Sequence, residues 1–124
     1  MEKQIFKLGQ LGSVELTKPR SLGVAFEFTS LWASDLNQAQ LARLCSAAIC
    51  VSLDDPKLPI YRPEKGALME FGFVSMDRLL SLGTMPNTLY RAGAHCLLMM
   101  ADSLPTEDEV IEAVNFTTTK EQAV

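Results

Sequence analysis

The stretch that decides the fold reads Pro86-Asn87-Thr88-Leu89-Tyr90-Arg91-Ala92-Gly93-Ala94-His95-Cys96-Leu97-Leu98-Met99-Met100-Ala101. On a helical wheel at about 100° per residue, Arg91, His95 and the following Asp102 fall in one narrow polar strip. Leu89, Tyr90, Ala92, Gly93, Ala94, Cys96, Leu97, Met99 and Met100 cover nearly all the rest. A helix with so little polar surface has to be enclosed on most sides, by its own chain or by a partner. The segment therefore predicts a compact helical body built around residues 86–101.

Working outward, the segment before it reads as a second apolar helix. It opens at Pro63 or Glu64 and stops at Gly83, a residue suited to the position just past a helix end. Leu68, Met69, Phe71, Gly72, Phe73, Met76, Leu79, Leu80 and Leu82 span an arc of roughly 200°, well beyond the ~100° stripe of an ordinary surface helix. Ser75 interrupts that arc, while Glu70, Asp77, Arg78 and Ser81 take the other face together with Val74. Two such helices exceed what a small body can cover, so part of the surplus is expected to be an interface; a tight core is the alternative. Gly72 and Gly93 each cost about 1 kcal/mol against alanine inside a helix, which close helix–helix approach would offset.

An earlier helix is expected from Asp35, with Gln38 completing a capping box, to about Val51. Its buried arc is Leu41, Leu44, Cys45, Ala48, Ile49 and Val51. Asp55-Pro56, Pro59 and Pro63 mark a loop between residues 52 and 63. Beyond residue 101, Leu104-Pro105 ends the apolar helix, and Thr106 with Glu109 forms a second capping box for a short acidic helix to about Val114. Residues 115–124 lack periodicity, and 117–124 are read as a frayed tail. The first thirty residues read as β-rich. Gln4–Leu8 and Ser13–Leu16 are alternating segments joined by Gly9-Gln10-Leu11-Gly12, and Leu22–Thr29 gives a third strand. The expected fold is mostly helical α+β: one domain over 1–116, with a small N-terminal antiparallel sheet packed on a bundle of three to four helices over 35–114.

Composition narrows the function classes. The chain has 124 residues, of which 48% are hydrophobic, with a mean hydropathy of +0.12. That length suits a single domain with one core. No apolar run approaches the ~20 residues of a membrane span, so no membrane association is expected. Met1-Glu2-Lys3-Gln4 contains no apolar leader core, and no secretion signal is expected. The three cysteines, Cys45, Cys50 and Cys96, fit no zinc template and read as free thiols in a reducing cytosol. The net charge of −4 is concentrated at the C-terminal end, where six acidic residues between Asp102 and Glu121 face Lys120 alone. Lys57, Arg62 and Lys65 form the nearest basic cluster, offset by Asp54 and Asp55. Nucleic acid is not expected as a ligand, because its affinity rests on Lys and Arg contacts to phosphate.

No set of residues announces a reaction. His95 is the only histidine and so the natural acid–base group near neutral pH. Adjacent helical residues point about 100° apart, so His95 and Cys96 cannot align as a nucleophile pair, and His95 is expected at the surface with Arg91 and Asp102. Cys45 and Cys96 lie on apolar surface, where thiols act as small hydrophobes, and Cys50 lies nearer the helix edge. Asp54-Asp55 lacks the oxygen-donor spacing of a calcium loop. The Glu107-Asp108-Glu109 run complements a helix N-terminus. The glycines form no phosphate-cradling pattern. No catalytic residue, cofactor or metal is expected, and the chain is not expected to be an enzyme. The six methionines read as core filler, or as an adaptable protein-binding groove. Trp32 and Tyr61 could pin loops or anchor an interface.

The order of segments carries a resemblance. A short β region ending in Lys18-Pro19-Arg20 precedes the helix Leu36-Asn37-Gln38-Ala39-Gln40-Leu41-Ala42-Arg43-Leu44. There follow the loop Leu53-Asp54-Asp55-Pro56-Lys57-Leu58-Pro59, a long helix, and the closing Leu104-Pro105-Thr106-Glu107-Asp108-Glu109-Val110. Over roughly residues 14–116 this layout resembles the tail assembly chaperones of tailed bacteriophages. The resemblance implies a helical, non-catalytic, oligomer-forming protein of the host cytoplasm that coats the apolar helices of a tape-measure protein, or itself, during tail building. Apolar residues of the two long helices are the expected partner-binding set: Phe71, Phe73, Met76, Leu80, Tyr90 and Met99. The alternative function is a small phage or plasmid inhibitor whose acidic end meets a basic site on a host defence or regulatory protein.

Overall fold

A computed structural model describes residues 4–19, 21–53, 58–63 and 66–122, with side chains up to residue 115 in the last stretch. It begins with a two-stranded antiparallel hairpin, β1 (Ile5–Lys7) and β2 (Ser13–Glu15), in which Phe6 faces Val14. A 3-10 turn over Gly9–Leu11 joins the strands. The Leu8 N–H donates to the Gly12 carbonyl at 3.0 Å, which closes the connection. Gly9, at φ 55°, rests on the Leu82 backbone, and the Gln10 N–H donates to the Leu82 carbonyl at 2.7 Å. A side chain at position 9 would be strained by that φ and would strike the carbonyl it approaches. This contact ties the hairpin to the end of a helix more than seventy residues away in sequence.

The segment read as a third strand is helical instead: α1 (Leu22–Trp32). Its alternation of Leu22, Val24, Phe26 and Phe28 suits a strand, yet Ala25 and Phe28 with the partly buried Val24, Leu31 and Trp32 also make a helical stripe. Ser21 caps its start, accepting a hydrogen bond from the Val24 N–H at 3.3 Å. Phe26 and Phe28, one face of a strand, point apart on the helix: Phe26 is 47% exposed and Phe28 is 0% exposed. Packing, not propensity, separates the two readings.

Helix α2 (Gln38–Leu53) starts later than expected because Asn37 and Gln40, rather than Asp35 and Gln38, form the capping box. The Gln40 N–H donates to Asn37 Oδ1 at 2.8 Å and the Asn37 N–H donates back to Gln40 Oε1 at 3.0 Å. Helix α4 (Pro86–Ser103) matches its expected span closely, whereas α3 (Ala67–Ser81) starts after Gly66 rather than at Pro63 or Glu64 and ends as expected before Gly83, which adopts φ 90°. Helix α5 (Glu107–Gln122) outruns the expected end at Val114, so the backbone of the supposed tail is helical through Gln122. Thr106 caps it, accepting from the Glu109 N–H at 3.2 Å and donating to Glu109 Oε1 at 3.1 Å.

The molecule is thus mostly helical α+β, with four helices and the hairpin around one core and residues 107–115 of α5 exposed. Helix α2 is the hub, packing broadly on α3 and on α4, while α1 packs on α4 and α2. Every residue of α2 from Leu44 to Cys50 is buried. Small side chains make this enclosure possible: a Cβ at Gly93 would lie 2.6 Å from Cys45 Cα, and one at Gly72 would lie 2.8 Å from the Arg43 carbonyl carbon. The expected role of these two glycines in close helix approach is therefore what the helices display. Tyr61 joins the loop to the body, its ring 5.8 Å from Phe28 and 5.2 Å from Phe71. Asp54, Asp55, Lys57, Glu64 and Lys65 lie outside the described residues.

Candidate interaction surfaces

The apolar arc of α3 resolves into two parallel ridges. The inner one, Leu68, Phe71, Gly72, Ser75 and Leu79, is buried against α2 and the loop. The outer one consists of Met69, Phe73, Met76 and Leu80, spaced four, three and four residues apart. That spacing keeps all four on one line along a helix. Met69 and Met76 are half-buried against the core, whereas Phe73 and Leu80 are 52% and 42% exposed. The Arg43 guanidinium carbon lies 5.2 Å from the centre of the Phe73 ring, a cation–π arrangement that seats a charge beside the ridge without covering it.

The six residues expected to bind a partner do not share one face. Phe71 is buried, with its ring on Tyr61, so its assignment to a binding surface is corrected to the core. Phe73, Met76 and Leu80 share the outer ridge. Tyr90 and Met99 are half-buried and nine positions apart on α4, hence on opposite sides of it. The Tyr90 hydroxyl approaches the Gln38 carbonyl at 3.5 Å, at the start of α2. Met99 instead lines a cleft of about 300 Å³ with Lys18, Asp102 and Ser103. A neighbouring cleft of about 290 Å³ is lined by Thr17, Lys18, Pro19, Ser21, Val24, Val51 and Ser52. Lys18 and Asp102 are the charged side chains among the described lining of the two clefts.

The interior holds polar chemistry that the wheel placed elsewhere. His95, expected at the surface, is 6% exposed, and its ring lies 5.5 Å from that of Phe6. The hairpin covers a position that is polar on the isolated helix, which a wheel cannot anticipate. Arg91 and Asp102 remain exposed as expected. Cys50, read as nearer the edge, is buried with Cys45 and Cys96, and all three are free thiols. Burial raises Cys45 to about 11 and Cys50 to about 11 from an ordinary 9.0. Cys96 rises to about 12, first through burial and then through the neighbouring thiols of Cys45 and Cys50. The Ser75 and Ser52 hydroxyls have no partner in hydrogen-bond geometry. They lie near enough to Cys50 and Cys96, respectively, to hold those thiols down slightly against the larger effect of burial. Burial, then the Glu27 carboxylate, pushes the Tyr61 hydroxyl up. Thiols held protonated in this way are poor nucleophiles and poor metal ligands.

Helix α5 presents a second surface beyond the charge evident in its sequence. Every residue from Glu107 to Asn115 is exposed. Val110, Ile111 and Val114 are aligned on one side at spacings of one and three, a short stripe that an emphasis on the acidic run conceals. Among the described residues, no group of three or more His, Cys, Asp and Glu side chains is placed to hold a metal ion. None of the described helices is long and apolar enough to cross a membrane. Compared with protein-family models, curated proteins and solved structures, the chain finds no match.

Proposed function

We propose that this protein is a non-catalytic binder of apolar helices that acts during bacteriophage tail assembly in the host cytoplasm, in the manner of a tail assembly chaperone. The observation that carries the reading is the outer ridge of α3, where Phe73 and Leu80 stand exposed beside half-buried Met69 and Met76. A partner helix laid along that ridge meets anchors at the four-three-four spacing that helix-in-groove recognition uses. Full burial of a Phe or Leu side chain contributes about 1.5–3 kcal/mol, and these two are already about half covered, so each adds roughly half of that. Such binding is weak per site and reversible, which suits a protein that must release its client. The unbranched methionines adapt to partners of differing shape. The ridge can also take a second copy, so self-association and client capture compete for it. The setting in tail assembly rests on the segment layout, and a tape-measure protein is the client that setting supplies. A second reading, an inhibitor of a host defence or regulatory protein, draws on the exposed acidic α5.

The test is co-expression with a tape-measure protein encoded beside this chain. The wild type is expected to keep that protein soluble and to copurify with it. The double variant Phe73→Asp, Leu80→Asp should lose both effects while melting within a few degrees of the wild type, because both side chains are already exposed. Copurification that survives the double variant, or a tape-measure protein equally soluble without this chain, overturns the reading.

A further inference from the structure

Helix α5 carries a surface distinct from the α3 ridge, and among the described residues no other element packs broadly on it. Val110, Ile111 and Val114 are 44%, 49% and 57% exposed. At about 100° per residue they fall in one arc about 100° wide, with Glu107 at its N-terminal end one turn before Ile111. Asp108 and Glu112 border that arc on the Ile111 side, and Glu109 lies beyond Val110. From Glu107 to Thr119 the helix has no Lys or Arg. Its start is set by the reciprocal Thr106–Glu109 cap and by carboxylates in the first turn, which favour a helix N-terminus. A helix of this length without packing is marginal in water, so a partner that covered its stripe would add most of its stability.

Charge decides what that partner is. Residues 1–101 carry ten Lys and Arg against nine Asp and Glu, whereas residues 102–124 carry one against six. A second copy offers α5 either a nearly neutral body or another acidic helix, and pairing two such helices brings like charges together along the seam. An anionic bilayer repels it, since interfacial helices need a basic polar face. We infer that α5 docks, apolar stripe inward, into an apolar groove rimmed by Lys and Arg on a protein of different sequence. In this mode Val110, Ile111 and Val114 supply the buried contact, while Asp108, Glu109 and Glu112 pair with the rim and steer the approach.

The full-length protein, isotopically labelled, tests this by titration with a designed helical peptide bearing Leu on one face and Lys on the other. Two further peptides serve as comparisons: oligolysine, and the same Leu face backed by Glu. The Leu/Lys peptide is expected to shift the amide signals of residues 107–115 and to bind at least tenfold more tightly than either comparison. Ile111→Ser with Val114→Ser should weaken it about tenfold, and both positions are exposed enough for the variant to fold. Oligolysine binding equally well would mean charge alone, and the Leu/Glu peptide binding equally well would mean apolar contact alone; either overturns the inference. So does an unchanged affinity in the Ser variant, or a wild-type dimer in sedimentation equilibrium that the same variant dissociates, since the occupant would then be a second copy. The Phe73→Asp, Leu80→Asp protein should bind the Leu/Lys peptide as the wild type does. Loss of binding there would place the peptide on α3 and overturn the inference, whereas a failed co-expression test leaves this one standing.

Discussion

At Gly93 an added Cβ would lie 2.6 Å from Cys45 Cα and 2.8 Å from its sulfur, within the contact between α4 and α2. Gly93→Ala should gain helix propensity of about 1 kcal/mol yet lose more to overpacking, for a net loss of about 1–3 kcal/mol in denaturant unfolding. Gly23 provides the contrast, since a Cβ there meets only Ser21 Oγ at 3.6 Å, and Gly23→Ala should be neutral or mildly stabilising. The buried thiols make a second prediction at this scale. Folded pKa values of about 11, about 11 and about 12 exceed the ordinary 9.0, so the folded chain keeps protons that the unfolded chain releases. The contribution is complete below about pH 9 and is lost as pH rises through 11 to 12. Stability measured against pH should fall over that window, and a variant with Ala at positions 45, 50 and 96 should fall less steeply. At pH 8 the native thiols should resist alkylation and react once denaturant is added.

At the scale of elements, helix starts repay attention. Asp35 and Gln38 have the spacing of a capping box, but the bonds are made by Asn37 and Gln40, two residues later. Both pairs fit the pattern; the backbone entering α2 selects one. Asn37→Ala should therefore destabilise the protein by about 1 kcal/mol, while Asp35→Ala should change it by less than about 0.5 kcal/mol. Chemical denaturation distinguishes the two. The Thr106–Glu109 box was legible because Pro105 immediately precedes it and leaves little choice of start. Helix α1 was not legible: its residues satisfy a period of two and a period of 3.6 alike, and the choice came from which aromatic ring, Phe26 or Phe28, the core could accept.

At the scale of the molecule, the outer ridge of α3 and the stripe of α5 are apolar surfaces that stay exposed after folding among the described residues. They differ in electrostatics, since Arg43 stands over Phe73 while carboxylates surround Val110 and Ile111. Residues 86–101 are buried over much of their surface, yet α2 is the helix surrounded along its centre. Its Ser46, Ala47 and Ala48 look neutral by hydropathy, yet small side chains are what permit neighbouring helices to approach on every side.

The amino-acid sequence by itself determined the helical class, the span of α4 and the end of α3, the N-terminal hairpin and the use of Gly72 and Gly93 for close packing. These follow from local signals, in which periodicity, caps and backbone freedom act within a few residues. Only the tertiary structure decided that His95 is covered by Phe6, that Phe71 belongs to the core while Phe73 does not, and that α5 stands apart with its stripe uncovered. Those outcomes depend on which surfaces meet across long separations in the chain, and burial is a property of the contact rather than of either residue alone.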